Sequence, residues 1–324
     1  MSTEAKNSKN WEKFVSEYGS SQKGKTFAIT GCTSGTGLEF AKYIAGLGGD
    51  IIMLNRPSDR SKKALDIVKG VAENKGGKVT HIDCDLMDFK SVREAAEALK
   101  KEHTEVDVLC NNAGIMAWPD KATTDGCDVQ MQTNHLSHFL LTMKIWSSLE
   151  GAAEKRGEAR IINHSSQARL GDKLEAKYLE KNGGNLGGEE AKWKRYHHTK
   201  LANCVFTYTL NDRLKAAKSK IKVFVAHPGL SASNLQATSI AAGGMKGKMD
   251  VPQTAQEGAM GIIRAAIDAE AQSGDFFGPG KSGGEGWKEG YPNKIEPEEV
   301  LLHSDSKEML WKVSNKTLGE SWDL

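Results

Sequence analysis

Six short apolar runs alternate with helix-length segments along this chain: KTFAIT (25–30), DIIMLN (50–55), KVTHIDCD (78–85), VDVLCNN (106–112), ARIINHSS (159–166) and IKVFVAHPG (221–229). No other feature constrains the fold as tightly. A strand that is apolar at successive positions has no face to offer to water, so both its faces must be covered. Helices lying between such strands in sequence supply that cover when the strands run parallel. The rhythm predicts an α/β fold, a single doubly wound parallel sheet with helices on both faces, formed by residues 23–324 without a second domain. Residues 1–22 read as an extension, in which Trp11, Phe14, Val15 and Tyr18 share one face of a short amphipathic helix. That helix is expected to dock on the domain's own surface. The polar insertion between Ser166 and Tyr196, with Gly183, Gly184, Gly187 and Gly188, reads as a loop, as does the glycine-rich stretch from Gly274 to Gly290.

Charge and composition narrow the partners. Lys+Arg 44 against Asp+Glu 42 gives a net charge of +2, and no basic block is interleaved with aromatics. A nucleic-acid surface needs that pattern, so a small-molecule partner is expected. The N-terminus has neither an apolar core of the signal type nor an Arg-rich transit pattern, and the apolar runs are strand-sized, so no integral membrane segment is expected. Five cysteines form no C-x-x-C pair and suit neither a disulfide framework nor a zinc site. A soluble protein of a reducing, cytoplasmic compartment is the expectation, with oligomeric state left open. His135 with His138, and His197 with His198, lack a third ligand at a metal-site spacing. They read as structural or surface histidines, and no metal is expected.

The first strand runs directly into Gly31, Cys32, Thr33, Ser34, Gly35, Thr36 and Gly37, followed by the helical run LEFAKYIAGL. A glycine turn between strand and helix lets backbone approach a pyrophosphate, which then sits on the helix's unpaired N–H groups. Strand two ends Asn55-Arg56-Pro57. In dinucleotide folds an acid at that point accepts from a ribose 2′-hydroxyl, whereas an arginine suits a 2′-phosphate. Arg56, aided by Ser34, therefore points to NADP(H); the bland alternative is a solvated Arg56 with Asp50 or Asp59 on the ribose. Further along stand Asn112-Ala113-Gly114, Asn134, Ser165-Ser166 and Tyr196-His197-His198-Thr199-Lys200. Tyr196 and Lys200, four apart in a helix, share a face. A phenol with its ordinary pKa of about 10 exchanges protons poorly near neutrality, and a neighbouring cation favours its ionised form. Cys32 reads as a tolerated small residue, since nothing nearby in sequence would activate it.

From about Lys25 onward the chain resembles the short-chain dehydrogenase/reductase family, through TGCTSGTG, NNAG and the order Asn134, Ser166, Tyr196, Lys200. The resemblance implies a Rossmann-type sheet of about seven strands and a catalytic tetrad of those four residues. In it Tyr196 is the general acid/base, Lys200 lowers its pKa and holds ribose hydroxyls, Ser166 donates to the substrate oxygen, and Asn134 supports a water-linked proton relay. It also implies cofactor contacts from Asp85 and Leu86, from Asn112, Ala113 and Gly114, from Pro228 and Gly229 beneath the nicotinamide, and from Ser233 on the carboxamide. Within the family the chain is similar to the retinol dehydrogenase, WW-domain oxidoreductase and protochlorophyllide reductase branch, by the wide gap before Tyr196, by HHTKLANCVFTYTL and by LWKVSNKTLG. No N-terminal hydrophobic anchor of the kind the retinol dehydrogenases carry is expected from the residues before Lys25.

The expected activity is hydride transfer between NADP(H) and a carbonyl or alcohol carbon of a fairly hydrophobic small molecule. Residues 231–250, small and glycine-rich, are expected to form a substrate lid with Ile240, Met245 and Met249 on its inner face. Two other readings stay open: a light-driven pigment reductase sharing the tetrad, and a non-catalytic NADP(H)-binding regulator.

Overall fold

Successive residues of the central strands point to opposite sides, and each side is packed. In β1 (Thr26–Thr30), Phe27 and Ile29 enter one apolar cluster and Ala28 the other. In β2 (Asp50–Asn55), Ile51 and Met53 are divided in the same way from Ile52 and Leu54. This is the two-residue period of a strand buried on both faces. The computed structural model describes residues 8–280 and 286–324. The remaining strands are β3 (Val79–Asp83), β4 (Val108–Asn111), β5 (Ala159–His164), β6 (Ile221–Ala226), β7 (Phe276–Gly278) and β8 (Asn293–Lys294). Their order is β3-β2-β1-β4-β5-β6-β7-β8. Neighbours pair in parallel from β3 to β7, and β8 closes the edge antiparallel to β7.

The helices are α1 (Lys9–Tyr18), α2 (Gly35–Gly46), α3 (Asp59–Ala72), α4 (Phe89–Glu102), α5 (Val129–Met131), α6 (Ser137–Lys144), α7 (Trp146–Arg156), α8 (Ala176–Leu179), α9 (Lys192–Ala216), α10 (Leu235–Ala241), α11 (Ala255–Ile267) and α12 (Ser304–Leu318). Apolar residues of α1, α2, α3 and α11 cover one face, and those of α4, α6, α7, α9 and α12 the other. A π turn, Gln132–Leu136, joins α5 to α6.

Among the described residues, six of the eight strands fall where the apolar runs predict them. The glycine-rich stretch expected to be a loop instead contains β7. Its three residues between Gly274 and Pro279 are too few to show alternation, and pairing with β6 makes them a strand. Residues 281–285 of that stretch lie outside the described residues. The N-terminal helix docks as expected: Trp11 and Phe14 are buried, and the Tyr18 hydroxyl donates to Asp268 Oδ2 at 3.3 Å. Val15, predicted on the docked face, is exposed. Among the described residues no helix is long and apolar enough to cross a membrane.

Candidate active site

The carboxyl ends of β1 and β4 lie side by side although their connections run to opposite halves of the sheet. Such a switch point opens a crevice. Here it is a cavity of about 830 Å³, floored also by the ends of β5 and β6. The glycine turn forms one wall. Gly31 has φ 68°, the left-handed region that glycine adopts without a Cβ clash. A Cβ on Gly31 would lie 2.7 Å from Ala113 Cα, and one on Gly37 would lie 2.5 Å from the Gly31 carbonyl oxygen and against the Asn112 amide. The turn and the end of β4 are therefore in backbone contact. Gly37→Ala is expected to cost about 1–3 kcal/mol through overpacking. Urea melts of wild type and variant measure this, and unchanged stability would show that the turn can open.

Asn112 ties the turn to the strands behind it. Its Nδ2 donates to the carbonyls of Thr30 (2.9 Å) and Gly31 (3.2 Å), and its Oδ1 accepts from the Thr36 hydroxyl at 3.1 Å. The same Oδ1 lies 2.9 Å from His164 Nδ1, so that ring nitrogen carries the proton. His164 Nε2 is left buried without a hydrogen-bond partner among the described residues, and burial holds the imidazole down to about 3. Cys32 donates its N–H to Asn55 Oδ1 at 2.9 Å, and burial pushes its thiol up to about 12. The thiol is thus inert at neutral pH, in keeping with a small packing residue.

At one end of the cavity stand Arg56 and Arg60 with Ser34 and Ser58, facing Asp85, Leu86 and Met87. No carboxylate of β2 reaches this end. Asp50 Oδ1 accepts from Lys78 N–H at 2.7 Å at the opposite edge of the sheet, and Asp59 pairs with Lys62 in solvent.

At the other end are Tyr196, Ser166 and Lys200. Lys200 Nζ lies 5.8 Å from the centroid of the Tyr196 ring and donates to the His164 carbonyl at 3.1 Å. Burial dominates both groups. It pushes the Tyr196 phenol up to about 12 against the opposing hydrogen bond with Ser166, and it brings Lys200 down to about 8.

Of the residues singled out from sequence, Gly31, Thr33, Ser34, Gly35, Thr36, Arg56, Asp85, Leu86, Asn112, Ala113, Gly114, Ser166, Tyr196, Lys200, Pro228, Gly229 and Ser233 line this one cavity. Gly37 and Asn134 stand behind its wall. The Asn134 side chain holds the loop after β4: Oδ1 accepts from Ile115 N–H (2.8 Å), and Nδ2 donates to Ile115 O and Thr199 Oγ1, both at 2.9 Å. Its carbonyl accepts from His138 Nδ1 at 3.0 Å, and His138 Nε2 faces the Thr30 hydroxyl at 2.8 Å. Thr30 Oγ1 already accepts two backbone N–H groups, so its proton goes to Nε2.

Sequence reasoning missed Arg60, His164 and Met116 as lining residues. Arg60 had a readable signal, because a helix capped at Ser58 turns its first residues back toward the end of β2. The other two had none in the local pattern.

Residues 231–250 fold across the cavity. Ser233 Cβ lies 3.0 Å from where a Cβ on Gly35 would be, so the segment meets the glycine turn. Beyond it, Leu235 and Ile240 pack with Met116, Ala117, Tyr196 and Met245, while Met249 is half-exposed and lines the cavity. The Ser239 hydroxyl donates to Ala117 O at 3.2 Å, and Lys192 Nζ donates to Gly244 O at 2.5 Å. Among the described residues, no three His, Cys, Asp or Glu side chains gather as a metal would require.

Residues 25–177 match the short chain dehydrogenase family model. The chain is 30% identical to retinol dehydrogenase 12 of Homo sapiens over 306 residues, 93% of this chain and 88% of that protein. It is 34% identical to retinol dehydrogenase 13 of Homo sapiens over 220 residues, 65% of this chain and 60% of that one. A crystal structure of an uncharacterized protein from Mycobacterium Paratuberculosis superposes with a TM-score of 0.73 at 29% identity, covering 94% of this chain and 97% of the other. The fold is also that of the 3-ketoacyl-(acyl-carrier-protein) reductase from Brucella melitensis complexed with NADH, with a TM-score of 0.57, 23% identity and coverage of 78% and 95%. The chain belongs to the short-chain dehydrogenase/reductase family of oxidoreductases, near its retinol dehydrogenase branch.

Proposed function

We propose that the protein is an NADP(H)-dependent oxidoreductase acting on a carbonyl or alcohol carbon of a fairly hydrophobic, uncharged small molecule, with Tyr196 as general acid/base. The observation that carries this reading is the polarity of this cavity, with two arginines at one end and Tyr196, Ser166 and Lys200 at the other. The residues present fit a dinucleotide. The first turn of α2 has no side-chain cap, so its backbone N–H groups are free for a diphosphate, and the glycines beside it allow close approach. Arg56 and Arg60 offer two forks of donors to a 2′-phosphate, and no β2 carboxylate competes for the ribose. When bound, the nicotinamide supplies or accepts the hydride.

The chain's own residues manage the proton. Ser166 orients the substrate oxygen toward the Tyr196 hydroxyl, which exchanges a proton with it. Lys200 sits beneath that phenol as the buried cation, within reach of ribose hydroxyls, and Asn134 positions it through the loop at Gly114. A Cβ on Gly114 would lie 3.1 Å from Asn134 Oδ1 and 3.3 Å from Lys200 Nζ, so these groups converge there. The substrate half is walled by Met116, Leu235, Met249 and Val251. Among the described residues Lys200, buried beneath Tyr196, is the charged group at that end, and the apolar wall itself offers an ionic substrate no partner, so burying one would be costly. Relatives named retinol dehydrogenase agree with an apolar alcohol or aldehyde. Five buried, unpaired thiols suit a reducing compartment.

Purified protein mixed with NADPH and a panel of apolar aldehydes, ketones and quinones is expected to consume NADPH, and ionic carbonyls to react poorly. Arg56→Ala is expected to raise the NADPH dissociation constant by about one to two orders of magnitude, the worth of one charge-assisted bond, and to leave NADH nearly unchanged. Equal wild-type affinity for NADPH and NADH would refute the cofactor assignment.

A further inference from the structure

We propose that Arg195 is a positioning residue, a buried guanidinium that locks three chain segments around Tyr196 and thereby shapes the substrate half of the cavity. This inference rests on the functional reading above. Consecutive helical residues point about 100° apart. With Tyr196 turned to the cavity, Arg195 is turned into the protein beside it, where it is fully buried. A guanidinium cannot shed its charge and presents five donors in a fixed fork, so burial is tolerable only if acceptors surround it.

Its partners come from three parts of the chain. Nη1 donates to the Gly188 carbonyl at 2.6 Å, in the insertion before α9. Nη2 donates to the Trp118 carbonyl at 3.1 Å, in the loop after β4. Asp120 of that loop lies 3.5 Å from Nη1, and Asp128 at the start of α5 lies 3.4 Å from Nε. Both carboxylates are themselves tied down. Asp120 Oδ2 accepts from the N–H groups of Leu186 (3.0 Å) and Gly188 (2.6 Å), and Asp128 Oδ1 accepts from Met131 N–H at 2.8 Å, capping the helix that leads to Asn134.

The lock is coupled to the cavity through two residues next to Trp118. Ala117 holds φ 48°, a left-handed conformation that costs a non-glycine residue energy and persists only where its surroundings impose it. Its carbonyl seats Ser239 of α10, and Met116 beside it lines the cavity. Fixing the Trp118 carbonyl thus fixes Met116 and the seat of the 231–250 segment. No contact of Arg195 reaches the glycine turn or the Arg56 end. Its influence is therefore on substrate placement rather than on dinucleotide affinity.

Arg195→Lys keeps the charge but replaces the fork by one ammonium, which cannot serve the Trp118 and Gly188 carbonyls and both carboxylates together. The expected result is a KM for an apolar carbonyl raised about tenfold, with a smaller fall in kcat and an NADPH dissociation constant within about twofold of wild type. Amide hydrogen exchange on the NADPH-bound protein is expected to accelerate at 115–121 and 183–190 and to stay unchanged at 31–37. Asp120→Asn, which leaves the guanidinium and its carbonyl partners, is expected to give the same pattern at smaller size and covers the case in which Arg195→Lys does not fold. Unchanged KM and exchange in the folded variants, or NADPH affinity falling in step with KM, would overturn the proposal. Exchange is read without turnover. A wild-type protein inert toward every carbonyl therefore defeats the functional reading, whereas unaltered exchange defeats the lock.

Discussion

Tyr196→Phe is expected to lower turnover by about two to four orders of magnitude, the usual contribution of a positioned acid or base, while NADPH affinity and folding stay close to wild type. The ring itself packs among Met116, Ala117 and Met245, and phenylalanine fills the same space. Only the hydroxyl beside Ser166 is lost. In the protein alone burial holds that phenol up to about 12 and brings Lys200 down to about 8, so the environment disfavours charge on either group. A site in which proton donor and substrate oxygen are pre-oriented loses its proton route, and little else, when the hydroxyl is removed. Steady-state rates and NADPH titration of the variant decide the matter. A variant retaining more than about a tenth of the wild-type rate would mean that the substrate oxygen takes its proton elsewhere.

Acid is expected to unfold the protein well before its carboxylates titrate. His135, His138, His164 and His227 are buried, and burial holds the first three down to about 3, 4 and 3 and the fourth well below its ordinary range. Each imidazole is neutral in the folded chain and takes up a proton when the chain unfolds below pH about 6.5. The unfolded state then binds more protons, so stability is fully present above pH 6.5 and is lost as pH falls toward 4. Between pH 7 and pH 5 the loss is about 1–2 kcal/mol for each imidazole, and the four together approach the whole stability of an ordinary domain. Urea melts at pH 7 and pH 5 measure it. Equal midpoints at the two pH values would show that these rings gain partners or water on protonation.

The acid effect and the proton route both rest on burial, and burial is where sequence and structure part. Local pattern was enough for β1, the glycine turn and α2, because a run of apolar residues, a glycine at positive φ and an uncapped helix start act over a few residues. Spacing alone put Tyr196 and Lys200 on one helix face; the family resemblance implied that Asn112 and Ser166 join them, and all four line one cavity. Periodicity placed Trp11 and Phe14 on the docked face of α1, but not the exposure of Val15, which depends on where that face meets Tyr43 and Tyr291.

Tertiary structure alone decided the rest. β7 is a strand because β6 offers it partners, not because three residues encode one. Asn134 supports the wall rather than lining it, because a π turn aims its side chain at Ile115 and Thr199. The burial that raises the Tyr196 phenol and lowers Lys200 was not legible either, since a Coulomb attraction can be read from sequence separation in a helix but a desolvation penalty cannot. Arg195 carries no signal at all in its neighbourhood, where it reads as one more charge on a polar helix start. Its carbonyl acceptors and carboxylate neighbours lie in segments 188, 118 to 120 and 128, and they meet only after the sheet has brought α5, α9 and two loops together. What the sequence by itself determined is the set of local conformations and their order, because those are set by sterics and periodicity within a few residues. What only the tertiary structure decided is which groups are stripped of water and beside what, because that depends on every segment that packs there.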